Sequence, residues 1–401
     1  MREVDAPASS ASDMPFALVS NAETIVGKGC LGFVPSGREM PGGGTLGERV
    51  NVYFAGHPAG PRLVVGALPY DKAAPAHLFQ PAELSRSPGR ACFAAAFPPP
   101  ALVGAPRPAL RWQVMAEPTL PAYREAVARA LETMAESGEA LRKVVLSRSL
   151  RLAADQPIDA SALLRALAAD ERVAAFCVPL ASSEGPRVLI GATPELLVAR
   201  QGEVVTSHPL AGSARRAREP RADRAAADAL LGSDKDQREH REVVTAILDQ
   251  LAPHCVELGA PKGTEITATA SMWHLGTRIV GRLRRPETSV ADLAGLLHPT
   301  PAVCGTPRER AARVIEDLEG YDRGFYAGAV GWVDAAGDGA WHVAIRCAEV
   351  AGRQARLYAG AGIVPGSDPV AEGEETSAKF AALLHALGID ETGRRAAEDV
   401  A

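Results

Sequence analysis

The spacing of apolar and polar positions changes several times along the chain, and each change predicts a new element. Apolar side chains recur at helical intervals between Tyr123 and Leu141, and a strand-like composition follows in KVVLSRSLRL, which begins at Lys143. Asp159 stands where it can cap a short helix, ALLRALAA, and the strands VAAFCVPL and VLIGA then flank the polar turn SSEGP. This part of the chain therefore alternates helices with strands.

Two further pairs of strands are predicted to form hairpins. LLVAR pairs with EVVTSHP across Gln201 and Gly202, and YAGAVGWVD pairs with WHVAIRCAEV across the loop AAGDG. Neighbouring strands of this kind form antiparallel sheets, and long helices lie between them, so the pattern predicts an α+β fold built of layers. The Pro-rich stretch FPPPALVGAPRPAL fits either a linker between domains or a crossing connection inside one domain.

Composition narrows the classes of function. Forty-three Lys and Arg against 48 Asp and Glu give a net charge of -5, which argues against a nucleic-acid binder that relies on a basic surface. The opening residues, MREVDAPASSASDMPF, lack the apolar core of a secretory signal, and no apolar run is long enough to span a membrane. The six cysteines lie far apart, without a C-x-x-C pair. We therefore expect a cytoplasmic protein with no membrane partner and with reduced thiols.

Four acidic residues fall on two predicted helices. Asp236 and Glu239 precede an apolar stripe in a helix that follows an Arg-rich loop, and Glu372 and Glu375 share one face of the last helix with Lys379. Carboxylates one turn apart suit a hard, oxygen-ligated cation such as magnesium. The alternatives are an ordinary charged helix end and a solvated face with an i,i+4 Glu375–Lys379 pair.

Other polar residues stand at strand ends or inside strands. Lys143 opens an apolar strand, where partial desolvation suits a lysine that acts as a base, and Glu195 follows a strand end, which is common for catalytic groups and for loop acids alike. Arg346 and Tyr358, on neighbouring strands, fit either a carboxylate site or an ion pair on the sheet surface. His274 in MWHL is more typical of a packed histidine than of a metal ligand.

The strings that carry these residues, in this order, resemble the chorismate-utilising enzymes, and among them the isochorismate synthases of siderophore pathways. The resemblance extends from Lys143 to Lys379 and is weaker upstream, in LVVGALPYD. The matching strings are KVVLSR, GATPELL, HPLAGSARR, KDQREH, MWHLGT, LLHPTPAVCG, YDRGFYAGAVGW, VAIRCAE and YAGAGIVPGSDP. One string, EGEETSAK, departs from the family's pattern, which often has an aromatic and a basic residue before the second glutamate.

The resemblance implies a fold as well as a family. It implies an α/β sandwich in which two large antiparallel sheets pack face to face, with helices outside and the active site between the sheets. It also implies one chorismate-binding catalytic domain over residues 14–390, flanked by a disordered tail at residues 1–13 and a C-terminal tail at residues 391–401.

The resemblance further implies a role for each candidate residue. Lys143 would be the base that activates water for attack at C2 of chorismate, and Glu195 the acid that protonates the C4 hydroxyl as it leaves. Glu239 and Glu375 would bind Mg²⁺ directly, with Asp236 and Glu372 reaching it through water. The implied substrate-binding residues are Arg346, Tyr358 and Gly360 for the enolpyruvyl carboxylate, and Gly212, Ser213, His274, Ala302 and Lys379 for the rest of the pocket.

Several relatives remain as alternatives. A lysine at position 143 favours water over ammonia as the nucleophile, which disfavours anthranilate synthase, and Ala211 stands where aminodeoxychorismate synthases carry lysine. A salicylate synthase, an isochorismate synthase of the menaquinone pathway and a non-catalytic chorismate-binding relative stay open. The expected binding partner is chorismate alone. We expect the protein to be a monomer without a glutamine amidotransferase subunit.

Overall fold

The computed structural model describes residues 14–40, 43–99, 110–183 and 185–395. The tail predicted at residues 1–13, most of the Pro-rich stretch and residues 396–401 of the predicted C-terminal tail lie outside the described residues. The predicted domain boundaries therefore stay a prediction. Within the described ranges, no helix combines the length and the hydropathy that crossing a bilayer requires.

Strands make up most of the regular structure. In chain order they are β1 Phe16–Val19, β2 Glu23–Lys28, β3 Gly32–Phe33, β4 Leu63–Leu68, β5 His77–Gln80, β6 Glu83–Pro88, β7 Trp112–Glu117, β8 Lys143–Ala154, β9 Ala174–Leu180, β10 Arg187–Thr193, β11 Leu196–Gln201, β12 Val204–His208, β13 Leu210–Arg215, β14 Cys255–Gly259, β15 Thr264–Ala268, β16 Met272–Thr277, β17 Ile279–Leu283, β18 Gly305–Thr306, β19 Ala329–Asp334, β20 Gly339–Val343, β21 Cys347–Ala351 and β22 Gln354–Ile363.

Helices connect the strands and cover the sheets. In chain order they are α1 Leu46–Gly56, α2 Ala91–Ala96, α3 Leu120–Ser137, α4 Ala160–Leu167, α5 Pro220–Leu231, α6 Asp234–Leu251, α7 Val290–Leu297, α8 Arg308–Glu319 and α9 Pro369–Ala386.

The strands of the described residues form two large sheets and one small one. Sheet one has the order β18-β8-β22-β21-β10-β9-β1-β2-β6, with β7 also paired to β8. Sheet two has the order β14-β17-β12-β11-β20-β19-β4-β5-β3, and β13, β16 and β15 form the small sheet. The strand pairs within all three sheets are antiparallel, for example β22 with β8 and β19 with β20. The predicted α+β class with two large antiparallel sheets is confirmed, whereas the small third sheet was not predicted.

Apolar side chains fill the spaces on both faces of sheet one. One buried cluster joins Phe16 and Phe176 of sheet one to Val198 and Trp341 of sheet two. A second cluster packs the opposite face of sheet one against α4 and α9, with Phe380 at its centre. Because sheet one is covered on both faces, β8 is buried along its first eight residues, and a polar residue at its start is removed from water.

Capping residues determine where the two helices that carry the predicted acids begin, and a glycine determines where the second one ends. Ser233 caps α6 by accepting from the Asp236 N–H, and Asp368 caps α9 by accepting from the Ala371 N–H. Gly388, at φ +75°, ends α9 in the left-handed conformation that glycine adopts without strain. The first turns of α6 and α9 are thereby fixed.

Two predictions about elements were wrong. WHVAIRCAEV is not one strand: β20 ends at Val343 in sheet two, and β21 begins at Cys347 in sheet one. Arg346 lies in the crossing with φ +50°, and both strands have the same two-residue period, so the pattern cannot reveal the change of sheet. The residues interpreted as an Arg-rich loop include α5, which Glu219 caps through the N–H groups of Arg221 and Ala222.

Candidate active site

Most of the predicted site residues surround one cavity, which is lined by strands of sheet one and of the small sheet, by α6 and α9, and by connecting loops. Glu195 reaches it from the β10–β11 turn, and Arg346 from the crossing between sheets two and one. The cavity has a volume of about 60 Å³, which is room for a few water molecules. Eleven of the predicted residues line it: Glu195, Gly212, Ser213, Glu239, His274, Ala302, Arg346, Tyr358, Gly360, Glu375 and Lys379.

A larger cavity, of about 860 Å³, adjoins the first between β13, α6 and α9. The two cavities share Ser213 and Glu375, and the larger one is also lined by Asp236 and Glu372. Residues of both signs surround it, including Arg215 and several acids of α9. The two cavities are therefore neighbours that meet at Ser213 and Glu375.

Lys143 is buried behind the inner cavity and faces an acid. Its Nζ lies 3.0 Å from Glu239 Oε1, and its side chain has no exposed surface. Nζ makes no hydrogen bond of good geometry with the described residues. The opening of β8 thus places an ammonium group with unused donors beside the cavity.

Glu195 is a buried carboxyl whose pKa is raised. Burial raises the pKa of its carboxyl to about 8, and the positive charges of Lys143, Lys379 and Arg346 offset that burial only in part. A carboxyl with this pKa carries its proton at neutral pH. Glu195 can therefore donate a proton to a leaving group.

Arg346 provides a buried cation for a ligand. It has no ion pair with the described residues, and its NH2 group lies 3.4 Å from His274 Nε2. Burial lowers the pKa of Arg346 to about 10 and that of His274 well below its usual value, so the arginine is charged and the histidine neutral at pH 7. Because Arg346 is buried and has no ion pair with the described residues, the alternative of an ion pair on the sheet surface is wrong, and its guanidinium can bind a ligand carboxylate.

Glycines on β22 and β13 leave space for the groups that line the cavity. A Cβ atom on Gly360 would lie 2.9 Å from the Tyr326 hydroxyl, and one on Gly362 would overlap Glu239 Oε1. Gly212 has φ +75°, and a Cβ there would lie 3.0 Å from Asp236 Cβ. Side chains at these positions would displace the groups that line the cavity.

Two lysines form ion pairs with acids on α9. Lys379 Nζ lies 2.5 Å from Glu375 Oε1 and donates to Gly360 O at 2.8 Å. Burial alone would raise the pKa of Glu375, but Lys379 and the other neighbouring donors lower it. Glu372, 2% exposed, pairs with Lys235 at 2.8 Å. The i,i+4 Glu375–Lys379 pair of the alternative interpretation of α9 is therefore present, whereas its solvated face is wrong at Glu372, which is buried.

The acids of α6 and α9 fit magnesium in their chemistry. In the described part of the chain, no three acidic, histidine or cysteine side chains converge closely enough to enclose a metal as they stand. Burial together with the charge of Glu375 nevertheless raises the pKa of Glu372 to about 7, and burial also raises the pKa of Asp236. Lys235 therefore offsets the burial of these two carboxyls only in part. A set of carboxylate oxygens short of positive charge is the donor set that Mg²⁺ prefers.

Sequence analysis missed some of the residues at the site. Tyr326 lines the inner cavity with its ring stacked on Tyr358, the ring centroids 4.8 Å apart and the planes 6° from parallel. Lys235 bridges Glu372 and Asp236, with its Nζ 3.9 Å from the latter carboxylate. Tyr326 belongs to YDRGFYAGAVGW and Lys235 to KDQREH, so the matching strings could have identified both.

Comparisons with known proteins agree with this geometry. A family model described as chorismate binding enzyme matches residues 97–388. A protein named putative isochorismate synthase MenF, of Mycobacterium tuberculosis, is 45% identical over 345 residues, which cover 82% of this chain and 87% of that protein. Isochorismate synthase DhbC of Bacillus subtilis is 43% identical over 332 residues, which cover 82% and 81%.

A solved structure extends the similarity to the fold. It is described as a putative 2,3-dihydroxybenzoate-specific isochorismate synthase, DhbC, from Bacillus anthracis. It superposes with a TM-score of 0.83 at 38% identity, and the match covers 94% of this chain and 97% of that one.

Proposed function

Because the chain belongs to the chorismate-binding enzyme family, we propose that it is a magnesium-dependent isochorismate synthase. The reaction moves a hydroxyl group: water adds at C2 of chorismate, the ring double bond shifts, and the C4 hydroxyl leaves as water. The observation that carries the proposal is Glu195, a buried carboxyl with a pKa of about 8 in a cavity lined by Lys379 and Arg346. Such a group can supply the proton that a hydroxide leaving group needs.

The proposed roles divide between proton transfer and binding. In its neutral amine form, Lys143 Nζ accepts a proton from the attacking water; its side chain is buried beside the cavity, and Nζ makes no hydrogen bond with the described residues. Glu195 donates its proton to the C4 oxygen. Arg346 binds the enolpyruvyl carboxylate with Tyr358 and the backbone at Gly360, and the buried site excludes bulk water from the reaction.

Magnesium belongs to the proposal as a binding group. Glu239 and Glu375 would hold it directly, and Asp236 and Glu372 through water. When bound, it would neutralise and fix the ring carboxylate. Glu239 and Glu375 are paired with Lys143 and Lys379, so these ammonium groups would give up their partners as the metal binds.

The proposal extends to a pathway and to partners. We propose that the product feeds siderophore biosynthesis, through 2,3-dihydroxybenzoate or salicylate, or menaquinone biosynthesis. The names of two relatives, a 2,3-dihydroxybenzoate-specific and a menaquinone-specific isochorismate synthase, support the 2,3-dihydroxybenzoate and menaquinone routes. With water as the nucleophile, no ammonia-supplying glutaminase subunit is needed, and we propose that the enzyme acts as a monomer in the cytoplasm.

Product analysis tests the proposal directly. Purified protein is incubated with chorismate, with and without Mg²⁺, and isochorismate, salicylate and pyruvate are separated by chromatography. We expect isochorismate without pyruvate, only when Mg²⁺ is present, and none from a Lys143→Ala variant. Salicylate with equimolar pyruvate would assign the protein to the salicylate synthases, and chorismate binding without turnover would indicate a non-catalytic relative.

A further inference from the structure

A separate cavity lies away from the active site, between α1, α7 and the loop after β4. Its volume is about 620 Å³, within the range of small-molecule sites. None of the residues that line it lines the inner cavity of the active site. Its walls are mainly apolar, formed by Leu46, Leu68, Pro69, Pro75, Ala76 and Leu296.

Arg49 of α1 enters this cavity, and its guanidinium has no hydrogen-bond or ion-pair partner among the described residues. The side chain is partly buried, and its Nε is shielded from solvent without an acceptor. Burial lowers the pKa of Arg49. The buried Arg323, by contrast, pairs with Glu319. A ligand that accepts from the Arg49 Nε–H would offset the cost of burying that donor without a partner.

The other charged residues leave the cavity positive. Lys72 lines it and donates from Nζ to Gly295 O at 2.8 Å, and its pKa is lowered by burial and by Arg308. Among the lining residues that the structure describes, the only carboxylate belongs to Asp292, whose Oδ1 accepts from the Gly47 N–H at 2.7 Å. Arg49 and Lys72 therefore outweigh one acid that is already hydrogen-bonded.

We propose that this cavity is a second binding site, which takes a small carboxylate with an apolar ring. The planar guanidinium of Arg49 pairs with the carboxylate through two parallel hydrogen bonds, and Lys72 adds positive charge. The ring packs against the apolar walls. A neutral apolar ligand would leave Arg49 unpaired, and an inorganic anion would leave the apolar walls unused.

The site adjoins the segment that leads to the active site. His298 lines the second cavity, and its Nε2 lies 2.8 Å from Pro69 O, in the same wall. Four residues later, Ala302 lines the inner cavity of the active site. An occupant held by Arg49 therefore touches one end of a short segment whose other end touches chorismate in the proposed complex.

Calorimetric titration with benzoate and with 2-naphthoate tests the proposal. Because the active site also offers Arg346 to carboxylates, binding is measured in an Arg346→Met background, which removes that arginine from the inner cavity. We expect one saturable site for at least one probe, and affinity about tenfold or more weaker when Arg49→Met is added. Arg49→Lys should restore part of the affinity, because it keeps the charge and loses the planar fork.

The matched control is Arg129→Met, which removes an exposed arginine of α3. It should leave probe binding unchanged, and thermal unfolding should show that every variant is folded. Affinity unaffected by Arg49→Met, or no saturable binding of either probe in the Arg346→Met protein, would overturn the proposal. Because chorismate turnover is not the readout, the result is independent of the proposed reaction.

Discussion

Lys143 and Glu195 are both buried beside one cavity, but their surroundings differ. Lys143 Nζ lies 3.0 Å from the carboxylate of Glu239. Glu195 has cations nearby, but burial dominates and holds its proton up to a pH of about 8. One site thus contains a fixed base position and a carboxyl that remains an acid at neutral pH.

The pKa of Glu195 predicts a pH dependence for the reaction. Because burial raises this pKa to about 8, the protonated acid is present below that pH and is lost above it. We expect kcat/KM to fall as the pH rises through about 8. The Glu195→Gln variant should lose about 10²-fold to 10⁴-fold in kcat and should lack this limb. A rate that climbs through pH 8, or a glutamine variant with near-normal turnover, contradicts the role.

Lys143 gives a second prediction at this scale. Lys143→Ala should lower kcat by about 10²-fold to 10⁴-fold, because no other described lysine replaces its amine behind the cavity. Circular dichroism should show the fold intact. Lys262→Ala removes an exposed lysine from a turn and should leave turnover unchanged, whereas comparable rates in both variants would remove Lys143 from the mechanism.

The role of an individual residue could be predicted only where the residue lies in the part of the chain that resembles the family. Lys143, Glu195, Arg346 and the glutamates were assigned because their strings resemble a family, and the structure brings them together. Spacing alone placed Glu375 on a helix face but could not show what packs against that face. Lys235 lies in the matching string KDQREH, but its pairing with Glu372 could not be predicted, because the two residues are far apart in the sequence.

At the scale of elements, the facing turns of α6 and α9 predict the metal dependence. Glu375→Ala should weaken Mg²⁺ binding about tenfold or more and lower turnover for that reason, measured by calorimetric titration of Mg²⁺. Glu374→Ala removes the exposed neighbour on α9 and should leave Mg²⁺ affinity unchanged. Equal Mg²⁺ affinity in the two variants would contradict ligation by Glu375.

The glycines of β22 give a prediction about backbone clearance. Gly362→Ala would overlap Glu239 Oε1 and approach Lys143 Cε to 3.0 Å, so it should disturb that ion pair and reduce turnover at least about tenfold. Gly259→Ala is the matched control, because it lies in β14 with no atom within 4 Å of the added Cβ. Steady-state kinetics of both variants make the comparison, and full activity in Gly362→Ala would show that the pair is dispensable.

The periodicity of apolar residues predicted an element correctly where one periodic stretch corresponds to one helix or one strand. The helix before Lys143, the cap at Asp159 and the β11–β12 hairpin are confirmed. It failed where two strands of equal period follow each other in different sheets, as on either side of Arg346. It also missed α5, because the buried face of that helix consists only of Asp223, Ala227 and Leu230 and lacks an apolar stripe.

At the scale of the whole molecule, one buried ion pair connects the elements that carry the site. Arg323 donates to Val145 O on β8 and to Val303 O in the loop before β18, each at 2.7 Å. Glu319, its partner, accepts from the Ser147 N–H at 2.7 Å. The pair holds the strand of Lys143 against the loop of Ala302.

Removal of that arginine should therefore destabilise the protein. Arg323→Met leaves Glu319 buried without its partner, and we expect a loss of about 3–5 kcal/mol in the free energy of unfolding. Urea denaturation measures it. Arg282→Met breaks an exposed pair with Glu257 and should have no measurable effect. Similar midpoints for the two variants would show that the Glu319 pair does not hold the site together.

The large-scale fold could be predicted because the matching strings extend over most of the chain. The resemblance to chorismate-utilising enzymes is confirmed, as are the two large antiparallel sheets. The small sheet could not be predicted, since β13 pairs with β16 across more than fifty residues and no local pattern encodes that pairing. Long-range pairing depends on tertiary contacts that a sequence window does not contain.

The crossing at Arg346 has a consequence for how such a chain can vary in length. Val343 and Cys347 are hydrogen-bonded in different sheets, so both ends of the crossing have a fixed register. An inserted residue there would shift one register or turn the guanidinium away from the cavity. The AAGDG turn only a few residues earlier connects two strands of one sheet at the surface. We therefore expect insertions to be tolerated in the turn and rejected in the crossing.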